Sequence, residues 1–571
     1  MTIKDLLEKY RTNYEVIAEI NLDHWHDLMP NEKVFWLKNQ IKKIYCSAYQ
    51  DNQRILFTLT KGEEYANDRG VILPTLQKLL NEIDISNFFV ALLCNDTGDR
   101  DAMIKSLEVM NRDLVPITVE WFNDTQMENK PKTTRDKSLQ YDYNSSVPID
   151  ADLENLDEKE WALLTESKVF CMYPWIHLHA YPTGEAWPCC MAEPKGGSLG
   201  SVRTHTMKEI WNSDRMKSLR KNMLSETPDP LCVKCYETEE SGFLSGRRSA
   251  NKHHGHRIHK IKNTADDGTV DEFQLVYWDI RFSNLCNLKC RSCGHIFSSQ
   301  WYQDQVKLAG PEWGKNNKVL NFAGRTETDM WEQLEPHLDY VEQIYFAGGE
   351  PLIMDEHYRI LEELERRGKF DVRLIYNTNF TEVRLKNRLV FDYWKKFKSV
   401  AVGASLDGME GHAEYIRKGT KWGDVIENRQ KMLEICPEVD FYISPTLSIM
   451  NAWHIPDFHK NWVERGFIRH QDLNVNILQD PPWYRVDIAP MQYKQRLRMK
   501  LEEHLEWLKP HDKLRRAITG FESAINYMMA TDNSHLIPKF WEKTNQLDKI
   551  RKEKLLDNIP ELEALNENST R

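Results

Sequence analysis

RFSNLCNLKCRSCG, residues 281–294, places three cysteines in a Cys-x3-Cys-x2-Cys spacing directly after a strand-like run. Cys286, Cys290 and Cys293 can hold three corners of an iron–sulfur cubane from one short loop. The fourth iron is then left without a protein ligand and is open to the amino and carboxylate groups of a small molecule. A zinc knuckle is the competing reading, with His295 close enough in sequence to be a fourth ligand. Placement favours the open cluster, because the loop follows the first strand of a strand–helix series, where α/β folds carry their active sites.

Working outward, residues 273–480 alternate strand and helix patterns. Strands are expected at Leu275–Phe282, Gln343–Phe346, Val372–Tyr376, Ser399–Ser405, Asp440–Thr446 and Leu473–Ile477. Helices are expected at Asp355–Arg366, Glu382–Lys396, Asp424–Ile435 and Ile455–Arg465. Such βα units in series imply a parallel sheet with right-handed crossovers, either an open doubly wound sheet or a partial barrel.

Further motifs fall at the ends of these strands. Residues 345–352 read YFAGGEPL, 374–380 read LIYNTNF, 404–408 read ASLDG, and 412–432 read HAEYIRKGTKWGDVIENRQKM. With the cysteine loop and in this order, they resemble the radical S-adenosylmethionine (SAM) superfamily over roughly residues 273–480. The resemblance implies an α/β fold with a partial (β/α)6 barrel, a SAM-binding [4Fe–4S] cluster on Cys286, Cys290 and Cys293, and SAM itself. It also implies SAM contacts from Gly348, Gly349, Glu350, Pro351, Asn379, Ser405, Asp407 and Arg417. Glu350 would take the SAM amino group and Arg417 its carboxylate, while Ser405 and Asp407 would lie near the ribose or carboxylate. Two positions depart from the family pattern: Ser292 stands where an aromatic residue usually precedes the third cysteine, and Phe380 stands where Thr-Asn-Gly has its glycine.

A second cysteine set lies upstream. CMYPWIHLHAYPTGEAWPC at 171–189 pairs two cysteines across a hairpin with Gly184 in the turn, Cys190 follows directly, and Cys232 and Cys235 form a Cys-x2-Cys knuckle. Read alone, four cysteines at this spacing suit structural zinc. The pattern also resembles the twitch or SPASM auxiliary segments of radical SAM enzymes, which implies a second [4Fe–4S] cluster on Cys171, Cys189, Cys232 and Cys235. Cys189 is chosen over Cys190 because it keeps the Gly-x4-Cys spacing. The segment lies before the barrel, whereas the family usually puts it after.

The whole chain has 571 residues, a formal net charge of −11 and 11 cysteines. That length implies several domains. The expected division is an α/β domain at 1–122, a polar linker at 123–160, the auxiliary cluster domain at 161–246, a basic His-rich connector at 247–272, the barrel at 273–485 and a helical region at 486–571. In the first domain, residues 1–20 read as an amphipathic helix, with strands at Arg54–Leu59, Phe88–Cys94 and Val115–Trp121 and helices at Leu73–Ile83 and Asp101–Asn111. Cys46, Cys94 and Cys436 read as buried small hydrophobes. RRSANKHHGHRIHKIK at 247–262 reads as a solvated connector or a docking surface for an acidic partner, and the basic run Lys549–Lys554 as a solvated face.

The acidic balance argues against nucleic acid, and no apolar run spans a bilayer, so a cytoplasmic protein is expected. The resemblance implies an enzyme: an external one-electron reductant such as flavodoxin or ferredoxin, reductive cleavage of SAM to a 5′-deoxyadenosyl radical, and hydrogen abstraction from a substrate. That substrate is expected to be a peptide or protein side chain, with a carbohydrate or other small molecule as the alternative. The third reading, from another class, is a zinc-stabilised binding protein without redox activity.

Overall fold

The structure is a computed structural model describing residues 16–21, 55–60, 88–94, 117–121, 156–240, 245–326, 328–513 and 515–565. The chain divides into two compact units, Met1–Tyr141 and Asp142–Arg571. In the first, β1 (Val16–Asn21), β2 (Ile55–Thr60), β3 (Phe88–Cys94) and β4 (Ile117–Trp121) form a four-stranded parallel sheet in the order 1-2-3-4. The apolar run of β1 lies within the stretch expected to be helical, so that expectation is corrected for Val16–Ile20. The β-branched residues Val16, Ile17 and Ile20 suit an extended chain. The expected helices at 73–83 and 101–111, the rest of residues 1–20, and Cys46 lie outside the described residues.

The second unit is built on one eight-stranded sheet. Its strands are β5 (His177–Ala180), β6 (Glu185–Trp187), β7 (Gly200–Ser201), β8 (Tyr277–Ile280), β9 (Gln343–Phe346), β10 (Arg373–Thr378), β13 (Val400–Ala404) and β14 (Asp440–Ile443). A hairpin of β11 (Arg384–Leu385) and β12 (Arg388–Leu389) intervenes after β10. The spatial order is 14-13-10-9-8-5-6-7, with β5, β8, β9, β10, β13 and β14 all parallel. Beyond β14, a parallel bridge joins Ile443 to Leu473, and β15 (Thr446–Leu447) pairs with β16 (Asn476–Ile477). The sheet is open, and among the described residues no strand pairing closes it into a barrel.

Alternation along the strands separates two faces. Phe346 and Tyr376 pack on His357 and Trp394 of the helices Asp355–Arg366 and Phe391–Trp394. Their neighbours Tyr345 and Asn377 point the other way and are half-buried. The helix Asp355–Arg366 buries Tyr358, Leu361 and Leu364 at helical spacing. It stops where Gly368 adopts φ +68°, a left-handed cap that suits glycine.

The auxiliary segment shares this sheet, since β5 lies parallel to β8 in the register His179 to Asp279. Gly184, at φ +89°, closes the turn from β5 to the antiparallel β6, and its N–H donates to the Tyr181 carbonyl at 2.8 Å. The stretch expected as a linker ends inside a helix, Glu158–Thr165, whose first turn is capped reciprocally by Asp157 and Glu160.

Three further expectations are corrected. Glu382–Lys396 is the β11–β12 hairpin followed by a four-residue helix, because Lys386 turns the chain at φ +56° and Lys386 and Arg388 reach back to Asp355. The basic stretch at 247–262 is a helix, Gly246–His254, followed by 3-10 turns to Asn263, and is packed: Arg247 and Lys260 are buried in ion pairs, and Arg257 pairs with Glu342. In the basic run 549–554, Arg551 is buried, stacks on Trp301 and donates to Asp304. Cys436 is buried. Among the described residues no helix is long and apolar enough to cross a membrane.

Candidate active site and iron–sulfur centres

The cysteine loop leaves β8 and is fixed along its length. Asn284, fully buried, donates to the His295 carbonyl and accepts from Asn321 N–H. The Lys289 and Arg291 N–H groups donate to the carbonyls of Lys418 and Ile416 at 2.9 and 2.8 Å. Trp301 Nε1 donates to the Cys290 carbonyl at 2.9 Å.

Three of the four motifs expected to bind SAM bond to this loop directly, and the fourth reaches it through the Asp407–Arg417 pair. Gly349 presses against it so closely that an added Cβ would stand 2.0 Å from the Leu285 carbonyl oxygen, and Gly348 at φ +117° lies over Arg281. The Glu350 N–H donates to the same Leu285 oxygen at 2.7 Å. The buried Glu350 carboxylate accepts from Leu352 N, Thr378 Oγ1 and Asn379 N at 3.0, 2.8 and 2.7 Å. Burial nevertheless pushes its carboxyl up to about 7. Pro351 starts the short turn that follows.

Asn379 donates to Asn287 Oδ1 at 2.8 Å and accepts from Thr381, tying β10 to the cysteine loop. Phe380, where the family pattern has glycine, takes the left-handed φ of +57° that glycine would favour. It is fully buried against Phe391 and Phe441, which offsets the strain. Ser292 is half-buried beside Cys293.

Ser405 is half-buried at the end of β13, its N–H donating to the Thr378 carbonyl. Asp407 is buried and accepts from Arg417 Nε at 2.8 Å and Thr446 N at 2.7 Å. Arg417 also points Nη1 at Cys290 Sγ, 3.7 Å away. Gly419, at φ +108°, lets the turn after Arg417 pack on Asn287 and Leu288.

The eight clustered cysteines are all free thiols. Burial pushes up the thiols of Cys286, Cys290 and Cys293, and neighbouring thiolate charge adds to this for Cys286 and Cys293. In the upstream set, burial also dominates, and the charges of Cys232, Cys189 and Cys235 raise Cys171. Cys189 faces Cys232 and Cys235, while Cys190 turns to Asp279 and Arg281. N–H donors point at two of these sulfurs, Leu288 N at Cys286 and Arg417 Nη1 at Cys290. Buried thiols gathered in two sets fit thiolate ligands of iron–sulfur clusters. Among the described residues no three His, Cys, Asp or Glu side chains are grouped as around a single metal ion. A cubane spreads its ligands over the corners of a larger body.

The sequence reading missed the supports of this loop, Asn284, Asn287 and Thr378, and the polar face behind it. Asp279 and Arg281 lie on the strand face opposite Trp278 and Ile280. That period-two alternation is the signal that would have found them.

Residues 171–236 match SPASM, an iron–sulfur cluster-binding domain. The 7,8-dihydro-6-hydroxymethylpterin dimethyltransferase of Methanocaldococcus jannaschii is 24% identical over 204 residues, 35% of this chain and 34% of its own. The chain therefore aligns with about a third of that relative. Among solved structures, anSMEcpe with bound AdoMet is 20% identical over 40% of this chain and 57% of its own, with a TM-score of 0.28. Streptococcus suis SuiB bound to S-adenosylmethionine is 14% identical over 53% and 62%, with a TM-score of 0.29.

The motifs that follow β9 and β10, together with Arg417 after the helix Glu410–Ile416, converge on one three-cysteine loop. The SPASM-matching segment, residues 171–236, is set ahead of the main strands and joined to the first of them through the parallel β5–β8 pairing.

Proposed function

We propose that this chain is a radical SAM enzyme that modifies a peptide or protein side chain. One observation carries the enzymatic reading: three motifs, two after strands β9 and β10 and one after the helix Glu410–Ile416, bond to a single cysteine loop. Glu350 N reaches Leu285, Asn379 reaches Asn287, and Arg417 reaches Cys290 Sγ. Cys286, Cys290 and Cys293 would hold the SAM-binding cluster, and Cys171, Cys189, Cys232 and Cys235 the auxiliary one. When bound, the first cluster supplies the electron that cleaves SAM to methionine and a hydrogen-abstracting 5′-deoxyadenosyl radical.

The chain's own groups arrange the rest. Gly348 and Gly349 let the backbone lie directly against the loop and against Arg281. Arg417, held by Asp407, presents a fixed cation to the SAM carboxylate and to the sulfur of Cys290. Glu350, held by three donors, presents a carboxylate to the SAM ammonium. Burial of the loop under Trp301 and the C-terminal helix excludes water from a reactive intermediate. The SPASM segment supports a peptide or protein substrate, since auxiliary segments of this kind accompany such modification. The Methanocaldococcus jannaschii relative, named for methyl transfer to a pterin, supports a small-molecule substrate as the second reading.

The test is anaerobic reconstitution with iron and sulfide, then incubation with dithionite and SAM. 5′-Deoxyadenosine is expected from the parent and not from the Cys286→Ala/Cys290→Ala/Cys293→Ala variant. A fully reconstituted parent that holds iron and yields none would overturn the reading.

A further inference from the structure

Behind the cysteine loop, the face of the sheet away from the helices is polar. Arg281 stands at the end of β8 between two neighbours that belong to the two cysteine sets. On one side Gly348 of the GGEP loop leaves its carbon only enough room to pass, since an added Cβ would lie 3.1 Å from Arg281 Cβ. On the other, the guanidinium lies 5.7 Å from the ring of Tyr181, whose hydroxyl donates to the Cys190 carbonyl.

The side chain of Arg281 is only 17% exposed, yet its one protein hydrogen bond is a long one, from Nε to Asp279 Oδ1 at 3.4 Å. Asp279 is fully buried and also lies 3.0 Å from His179 Nδ1. Its carboxylate thus positions the guanidinium while being shared. Among the described residues neither terminal nitrogen of Arg281 has a hydrogen-bond partner, and neither is fully buried. Three buried arginines of this unit are better satisfied, although Arg551, like Arg281, bonds through Nε alone. Arg220, Arg247 and Arg291 each make three or more hydrogen bonds to carbonyls, amides or carboxylates. The two amino groups of Arg281 therefore face open space and are free to take up an anion from a ligand. The planar fork of an arginine matches a carboxylate through two parallel bonds.

The imidazole beside it adds a second open group. His179 Nδ1 lies 2.9 Å from the Asp279 carbonyl and 3.0 Å from its carboxylate, both acceptors, so Nδ1 carries the proton. Nε2 then holds a lone pair, and it is fully buried with no partner. A donor fork and an imidazole nitrogen without a protein partner among the described residues thus both adjoin Asp279.

We propose that Arg281, positioned by Asp279, anchors the substrate through a carboxylate, so that the substrate of this enzyme is an acidic one held between the GGEP loop and the SPASM hairpin. This rests on the enzymatic reading given above for its meaning, but the anion site is testable apart from it.

The experiment uses the full-length chain, reconstituted and loaded with SAM. Three probes separate the sources of a carboxylate: N-acetylglutamate α-amide carries it on a side chain, N-acetylalanine at a chain end, and N-acetylglutamine α-amide has none. Modification of Arg281 by phenylglyoxal is followed by peptide mass spectrometry, and needs no variant. One of the two acidic probes is expected to slow modification of Arg281 at least tenfold and saturably, with no effect from the neutral probe. Which of the two protects assigns the carboxylate to a side chain or a terminus. Equilibrium dialysis should then show binding of that probe weakened at least tenfold by Arg281→Lys and abolished by Arg281→Gln, in variants that retain the parent's iron content. An Arg281 that does not react, equal protection by the neutral probe, or no protection by either acidic probe overturns the proposal. Protection in a parent that fails to cleave SAM leaves the anion site standing and sinks the enzymatic reading instead.

Discussion

At the residue scale, the tightest constraint is Gly349, whose missing side chain is what lets the GGEP loop lie on the Leu285 carbonyl. Gly349→Ala should cost at least ~3 kcal/mol, the upper end for overpacking a rigid contact, and the displaced loop should also cost bound iron. Thermal denaturation and iron analysis of the variant check both, and an iron-replete variant with an unchanged midpoint would contradict the close approach. A second prediction separates two adjacent thiols. Cys189 faces Cys232 and Cys235, and Cys190 faces Asp279. Cys189→Ala should therefore lose roughly half of about eight irons per chain, and Cys190→Ala should keep them.

Glu350 carries the residue-scale pH dependence. Its folded carboxyl stands at about 7, above its ordinary 4.5, because burial outweighs its three donors. A raised carboxyl stabilises the fold most below the unfolded value, and that contribution is lost as pH rises through the folded one. Between about pH 5 and 8 the thermal midpoint of the apo chain should therefore fall relative to that of Glu350→Gln. A difference that stays flat across the range would show that the donors already hold the carboxylate ionised.

At the element scale, the C-terminal helix Ile537–Arg551 is a clamp on the cysteine loop. Arg291, next to Cys290, pairs with Asp548 and Glu553, and Tyr415 donates to the same Asp548 at 2.7 Å. Arg551 donates to the buried Asp304, which also takes Lys289 at 3.0 Å. Removing one partner of a buried pair costs about 3–5 kcal/mol, because the charge left behind is uncompensated. Arg551→Ala should destabilise the chain on that order and make the C-terminal helix the first site of proteolytic cleavage. Limited proteolysis with mass mapping reads the second effect directly.

The same clamp shows why part of the architecture was not legible. Strands and helices with strong periodicity were, because burial on one face writes a pattern into neighbouring residues: Gln343–Phe346 and Asp355–Arg366 fall where the sequence puts them. Contacts between residues some 250 positions apart write no such pattern, so Arg551 looks like any other member of a basic run. The hairpin at 384–389 was hidden differently, since its turn residue Lys386 at φ +56° is no glycine and gives no turn signal. At the site, the motifs were legible as spacing, whereas Arg281 and Asp279 gain meaning only when β5 and β9 lie on either side of β8.

At the scale of the whole second unit, one sheet links the segments that carry the two cysteine sets, and Cys171, Cys189 and Cys232 pack in the core that runs from Leu163 to Leu565, while Cys286, Cys290 and Cys293 gather around Leu288 in a small cluster of their own. A lesion in the SPASM segment should therefore be felt across the unit. Replacing Cys171, Cys189, Cys232 and Cys235 together by alanine should leave roughly four irons and also lower the thermal midpoint of the entire second unit in a single transition. Two separate transitions would show that the segment melts alone.

The parallel strands of that sheet lie side by side in the order in which they occur along the chain, from β5 through β8, β9, β10 and β13 to β14. A ribosome releases them in the same sequence. Each strand therefore meets a neighbour that has already left the exit tunnel, and the sheet can lengthen at one edge as translation proceeds. Placing the SPASM hairpin first gives that growth a starting template. Moved behind β14, the same segment would leave the edge of β8 bare until synthesis was nearly complete.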